Sequence, residues 1–181
     1  MAGLVFVLDL LFAIQVFFFG DGSWLVQSGL ILSTAAFGWA LFVHPRILIF
    51  DEGITVVNPF ATTTFGWAEV ESIETQYAFT VESPKGRVVA WAAPAPGRYH
   101  ARNLHSTELK GIEYDRDFGL RPGDSPKSQS GAAANVARKR LVEFRKFKKV
   151  DSVAYSKRLN RTGIILAGFS LAFLALSYLL R

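Results

Sequence analysis

The residue types that most often carry chemistry are few in this sequence and poorly spaced for it. None of the 181 residues is cysteine, which excludes disulfides, thiolate metal sites, iron–sulfur clusters and cysteine nucleophiles. The three histidines, His44, His100 and His105, form no HExxH motif, and the last two lack the spacing of four that helical metal ligands need. The sequence therefore predicts no metal site and no cofactor.

Carboxylates and glycines also lack the arrangements that catalysis requires. Asp51-Glu52 lies on a predicted turn, and Glu69 and Glu71 are two apart on a predicted strand, which is typical of solvated surfaces. The sequence has no GxxxxGK[ST] or GxGxxG phosphate-binding motif and no GxSxG nucleophile motif. We therefore expect no catalytic residues and a protein that is not an enzyme.

The strongest charge feature is a basic helix near the C-terminal end of a chain whose net charge is +5. Between residues 138 and 149 the only acid is Glu143. Polybasic segments beside an apolar span are attracted to anionic lipid headgroups by about 1 kcal/mol per charge. We predict a membrane-surface basic face formed by Arg138, Lys139, Arg140, Arg145, Lys146, Lys148 and Lys149. A bare topology signal is the alternative, and we expect no nucleic-acid partner.

Three long apolar segments frame the chain, at residues 3–19, 24–43 and 162–180. A helix needs about 20 apolar residues to cross a hydrocarbon core of about 30 Å. The segments therefore predict an N-terminal transmembrane helical hairpin, turned at Gly20-Asp21-Gly22-Ser23, and a single C-terminal transmembrane helix.

The distribution of basic residues predicts the orientation of these helices. Nineteen of the twenty Lys and Arg residues lie between Arg46 and Arg161. The positive-inside rule then predicts a multi-pass membrane protein with the central domain cytoplasmic and the C-terminus extracytoplasmic. In this arrangement Asp9 is an intramembrane polar residue, and Trp24 and Trp39 are interface aromatics.

The central part of the chain has short β-like runs separated by turn signals. Arg46 to Phe50 and Ile54 to Asn58 predict a hairpin turned at Gly53, and six short antiparallel strands are expected before residue 98. Residues 99–130 are predicted to be a polar surface excursion, and a helix from about Ser130 to Lys149 has apolar residues at spacings of three and four. An antiparallel sheet capped by one amphipathic helix is the element order of a pleckstrin-homology (PH) fold.

These patterns predict three regions. Residues 1–43 are expected to hold two transmembrane helices, and residues 44–150 a cytoplasmic PH-like domain. Residues 151–181 are expected to hold a basic linker followed by the third transmembrane helix.

Several motifs in this order resemble the membrane-anchored bacterial PH-domain proteins of actinobacteria. They are the segment from His44-Pro-Arg46 through Asp51-Glu-Gly53 to Asn58-Pro-Phe60, then Trp67-Ala-Glu-Val70, then Ala90-Trp-Ala-Ala-Pro-Ala-Pro-Gly-Arg98. The resemblance covers roughly residues 24–150 and implies a PH-like domain in a protein of the bacterial plasma membrane. The third apolar segment departs from the family pattern and suggests a domain attached to the membrane at both ends.

The resemblance implies a non-catalytic interaction or scaffold protein. Eukaryotic PH domains hold inositol phosphates with basic residues in the first turn, whereas Asp51-Glu52-Gly53 is acidic here and disfavours that ligand. The architecture suggests an accessory subunit of a larger membrane complex, such as the actinobacterial cytochrome bc–cytochrome oxidase respiratory supercomplex. Its partners would be anionic lipids and other integral membrane subunits. The alternative is a free-standing membrane sensor whose domain binds a lipid or a peptide.

Overall fold

The computed structural model describes residues 2–19, 24–97, 122–147 and 152–179. The chain divides into a helical unit, Met1–Pro45 with Leu159–Arg181, and a β-rich unit, Arg46–Arg158. The elements in chain order are α1 (Ala2–Phe19), α2 (Trp24–Phe42), β1 (Arg46–Phe50), β2 (Gly53–Val57), β3 (Ala61–Gly66), β4 (Ser72–Glu74), β5 (Ala78–Ser83), β6 (Gly86–Pro94), α3 (Gln129–Phe147), β7 (Ser156–Leu159) and α4 (Arg161–Leu179).

In the helical unit, α2 packs against both α1 and α4. Glycine permits one of these close approaches, because a Cβ atom on Gly29 would overlap the ring of Phe173. Many large apolar side chains of the three helices are nevertheless exposed, among them Phe17, Phe18, Leu32, Ile165, Phe169 and Leu179. The unit thus presents an extensive apolar surface.

The lengths of these helices bear on the predicted membrane spans. They contain 18, 19 and 19 residues. At a rise of 1.5 Å per residue they are about 27–29 Å long, slightly less than a hydrocarbon core of about 30 Å. Within the described residues, no helix is both long enough and apolar enough to cross a membrane. The prediction of three transmembrane helices in a multi-pass membrane protein, with its cytoplasmic domain and extracytoplasmic C-terminus, is therefore wrong.

The β-rich unit contains two antiparallel sheets with PH-like strands rather than the single sheet that was predicted. One sheet has the strand order β1-β2-β3-β7, and the other has the order β4-β5-β6. Alternation of side chains along the strands determines which face is buried. On β1, Ile47 and Ile49 pack against the core, whereas Leu48 between them is exposed.

The core lies between the two sheets and helix α3. Its largest fully buried side chains are Trp67, Phe65 and Phe79. The indole Nε1 of Trp67 donates a hydrogen bond to the carbonyl oxygen of Phe50 at 3.1 Å, so its one polar atom is satisfied inside the core. Helix α3 buries Ala134, Ala137 and Leu141 against the sheets, and the two alanines permit a close approach.

Strand β7 was not expected from the sequence, because its segment was predicted to be a basic linker. Ser156-Lys157-Arg158-Leu159 has no alternation of apolar and polar residues that would indicate a strand. The strand forms because the chain that follows α3 returns to β3. The backbone N–H of Val153 donates to the Glu52 carbonyl at 3.2 Å, and the Tyr155 ring lies 5.4 Å from the ring of Phe65.

Candidate functional site

Helix α3 directs its described basic residues to different sides, so they do not form one continuous face. Arg138 and Arg145 are two helical turns apart and both extend to the sheet. The guanidinium of Arg138 donates to the Ile73 carbonyl from Nε at 3.2 Å and from Nη2 at 2.7 Å. Arg145 Nη2 donates to the carbonyls of Val70 and Glu71 at 3.2 and 2.9 Å. Since β4 is an outer strand, the two arginines satisfy carbonyls at or just before an open sheet edge.

A buried carboxylate, Asp124, holds Arg138 in this position. Its Oδ1 accepts from Arg138 Nη1 at 2.8 Å and from Thr75 Oγ1 at 2.7 Å. Asp124 lies in the segment that was predicted to be a polar surface excursion, yet Gly123, Asp124 and Ser125 are all buried. No spacing rule relates an acid to a base fourteen residues later, so this pair could not be predicted from the sequence.

The other basic residues of α3 face away from this network. Arg140 pairs with Asp51 at 3.1 Å and with Glu143 at 3.4 Å. Lys139 and Lys146 are exposed, and neither has an ion-pair partner among the described residues. Lys148 and Lys149 lie outside the described residues. Lipid contact by the basic helix stays a prediction. Among the described residues of α3, the exposed lysines that could make this contact are Lys139 and Lys146.

The remaining predicted site residues belong to the helical unit. Asp9 on α1 accepts a hydrogen bond at Oδ1 from Thr34 Oγ1 on α2 at 2.6 Å. Trp39 is exposed, and its ring lies 5.2 Å from the ring of His44. Trp24 is the first residue of α2. The roles predicted for these residues stay predictions.

An exposed apolar cluster on the β-rich unit was not singled out from the sequence. We call it the Trp91 surface and define it as Leu48, Phe60, Val89 and Trp91, whose exposed fractions lie between 45% and 52%. Val89 and Trp91 are two apart on β6 and share its outer side, because Ala90 between them is buried. Leu48 lies on the outer side of β1, the strand beside β6.

The side chain of Asn58 holds Phe60 close to these β6 residues. Asn58 Nδ2 donates to the Val89 carbonyl at 2.8 Å, and its Oδ1 accepts from the Trp91 backbone N–H at 2.9 Å. Phe60 follows Asn58 by two residues, so its Cα lies within about 7.6 Å of the Asn58 Cα. The amide thus pairs with the open edge of β6 and brings the β2–β3 turn beside it.

The described residues contain no group of three histidines or carboxylates that could hold a metal ion. The β-rich unit presents an exposed apolar surface, exposed lysines on α3 and the edges of its sheets. Such features are suited to binding another molecule.

Comparison with known proteins agrees with this description. Residues 44–105 match the family model described as a bacterial PH domain. No curated protein and no solved structure matches the chain. The match supports the PH-domain part of the resemblance, whereas the actinobacterial origin and the supercomplex stay predictions. PH-domain families are generally non-catalytic and commonly bind lipids or proteins, so the bacterial PH-like domain at residues 44–105 suggests an interaction or scaffold role.

Proposed function

We propose that this chain is a non-catalytic scaffold protein whose PH-like domain binds another protein through the Trp91 surface. The observation that carries the proposal is the exposure of Trp91 on strand β6, where about half of its surface is accessible. Tryptophan is among the residues that contribute most to protein interfaces when an interaction buries them. The Trp91 surface therefore has the composition of a binding site.

The backbone beneath this surface is fixed before any partner binds. The two hydrogen bonds of Asn58 hold the β6 backbone at Val89 and Trp91. A surface that is already ordered loses little conformational entropy on binding, which favours affinity. These hydrogen bonds support a binding site that is already formed in the unbound protein.

The helical unit supports the scaffold role independently. Exposed apolar patches larger than a few hundred Å² usually mark protein–protein or membrane interaction sites. Large side chains such as Phe17, Phe18 and Phe169 are exposed along its helices. A protein with an exposed apolar surface on each of its two units is suited to connecting components of an assembly.

The test is affinity purification of the full chain from its native cells, with a matched pair of variants. Trp91→Ser removes the centre of the proposed surface, whereas Tyr77→Ser removes an aromatic side chain that is 78% exposed elsewhere in the same unit. We expect a stoichiometric partner that is lost with Trp91→Ser and retained with Tyr77→Ser. Hydrogen exchange on the complex should show protection at β6 and the β2–β3 turn. Equal retention by both variants would exclude the Trp91 surface.

The identity of the captured protein decides between the finer hypotheses. Respiratory subunits with a cytochrome absorption spectrum would support the accessory-subunit hypothesis and its supercomplex. Recovery of the chain without a stoichiometric partner would favour the alternative of a free-standing sensor that binds a lipid or a peptide.

A second candidate function is favoured by the position of Lys139 and Lys146. They are two turns apart on α3, exposed, and without ion-pair partners among the described residues. Such a pair suits anionic lipid headgroups, at about 1 kcal/mol per charge. Replacing both lysines with glutamine should weaken salt-sensitive binding of the chain to anionic vesicles. Replacing Arg140, which is already paired with two acids, should have a smaller effect.

A further inference from the structure

The outer strands of the two sheets differ in which groups pair with their open edges. The edge at β4 is covered by the guanidinium groups of Arg138 and Arg145, and the edge at β6 is paired with Asn58. Strand β7 is the last strand of the sheet β1-β2-β3-β7. Among the residues that the structure describes, no strand or side chain pairs with its outer edge.

Strand β7 is held in an extended conformation from its inner side. It pairs with β3, and the residues before it are anchored by Ser152, whose Oγ accepts from the Ala68 N–H at 3.2 Å, and by the Val153–Glu52 backbone bond. In a strand of a sheet, alternate N–H and C=O groups point towards each neighbouring position. The outer groups of β7 are thus ordered and directed towards a further strand.

The side chains on β7 determine which strand could be added there. Lys157 and Arg158 are exposed, and neither has an acidic partner among the described residues. Charged residues on an edge strand discourage pairing with neutral or basic strands. An acidic strand instead gains two favourable charge interactions in addition to the backbone hydrogen bonds.

We propose that the outer edge of β7 binds an extended acidic segment of a partner protein by adding it to the sheet as a further strand. In such β-augmentation the backbone hydrogen bonds supply affinity and the side chains supply specificity. The proposal rests on the interaction role proposed above but uses a different surface from Trp91. An experiment can therefore contradict either binding proposal without contradicting the other.

Lys157 and Arg158 are adjacent on β7, so they point to opposite faces of the sheet. The test uses the full chain and a fluorescent peptide with blocked termini, in which two adjacent glutamates are flanked by valines so that each face carries one acid. Two control peptides accompany it. One has lysine in place of glutamate, and the other keeps the acidic charge but carries central prolines, which cannot donate strand hydrogen bonds. We expect the acidic peptide to bind in a salt-sensitive manner, to exceed both controls at least about tenfold, and to protect the amides of residues 156–158 from hydrogen exchange.

Two charge-reversal variants localise the binding. The double variant Lys157→Glu/Arg158→Glu should weaken peptide binding at least about tenfold, because two attractions become repulsions. The matched control, Lys139→Glu/Lys146→Glu, makes the same charge change on α3 and should weaken it less than about threefold. Equal effects of the two double variants, equal binding of the proline peptide, or no binding at millimolar peptide would overturn the proposal. Trp91→Ser should leave peptide binding unchanged, which separates this site from the Trp91 surface.

Discussion

Arg138 and Asp124 form a largely buried ion pair that connects helix α3 to the segment preceding it. The Nη1–Oδ1 distance is 2.8 Å, and the exposed fractions of the two side chains are 13% and 3%. The same guanidinium also donates to the Ile73 carbonyl at β4, so one side chain joins three parts of the β-rich unit. The pair therefore fixes the helix on the sheet.

Breaking this pair from one side should destabilise the protein strongly. Asp124→Ala leaves the Arg138 charge without its carboxylate and Thr75 Oγ1 without its acceptor. Removing one partner of a buried pair typically costs about 3–5 kcal/mol, and urea unfolding of the full chain measures the loss. Arg140→Ala, which breaks only exposed pairs, should cost no more than about 1 kcal/mol. Similar losses for the two variants would show that the buried pair contributes little.

Much of the β-rich fold could be predicted from local patterns, and the part that failed depends on tertiary contacts. The first predicted strand, residues 46–50, matches β1 because β-branched and aromatic residues such as Ile47, Ile49 and Phe50 favour a strand. Strand β7 has no such pattern, since its extended conformation depends on β3 and on contacts made by Ser152, Val153 and Tyr155. The residues that hold the chain before it lie 84 to 101 positions earlier in the sequence.

The directions of the basic side chains on α3 could not be predicted from the sequence. The basic residues between 138 and 149 are predicted to form one face, but adjacent residues on a helix differ by about 100° in direction. Arg138 and Arg145 therefore point to the sheet edge while Lys139 and Lys146 are exposed. The exposure of Trp91 could not be predicted from the sequence either, because a tryptophan in an apolar strand is usually expected in the core.

The turn between β5 and β6 requires glycine for a reason that a matched substitution can isolate. Gly86 has a φ of +132°, a conformation that residues with a Cβ rarely adopt, although a Cβ there would contact nothing within 4 Å. Gly86→Ala should therefore lower the free energy of unfolding through backbone strain alone, by about 1–3 kcal/mol. Gly97 is equally open but has no such φ, so Gly97→Ala should be neutral or stabilising. Thermal unfolding of both variants measures the difference, and equal effects would contradict the strain argument.

The stability of the protein should depend on both the donor and the acceptor of the Asn58 side-chain amide. Asn58→Asp keeps an acceptor for the Trp91 N–H but loses the donor to the Val89 carbonyl, whereas Asn58→Ala loses both. Since a typical hydrogen bond contributes about 0.5–1.5 kcal/mol, we expect a graded loss of stability, larger for alanine. Hydrogen exchange of the Trp91 amide should be faster in the alanine variant than in the aspartate variant. An unchanged exchange rate in both would show that Asn58 does not cover the β6 edge.

In the helical unit, Asp9 and Thr34 provide a test by rescue. Thr34 Oγ1 donates to Asp9 Oδ1 at 2.6 Å, and the buried Asp9 Oδ2 has no hydrogen-bond partner among the described residues. Thr34→Val keeps the side-chain shape but leaves both carboxylate oxygens without a described donor. Hydrogen bonds to charged groups contribute about 1.5–3 kcal/mol, so we expect a loss of that order in denaturant unfolding followed by circular dichroism.

The rescue variant adds Asp9→Leu to Thr34→Val. Replacing both partners of a hydrogen bond with apolar groups can be nearly neutral, because no unpaired polar group remains. The double variant should therefore recover most of the stability that Thr34→Val loses. Thr162→Val, which changes an exposed threonine at the start of α4, is the matched control and should be neutral. If the double variant is no more stable than Thr34→Val alone, the loss comes from helix packing and the Asp9–Thr34 bond does not stabilise the unit.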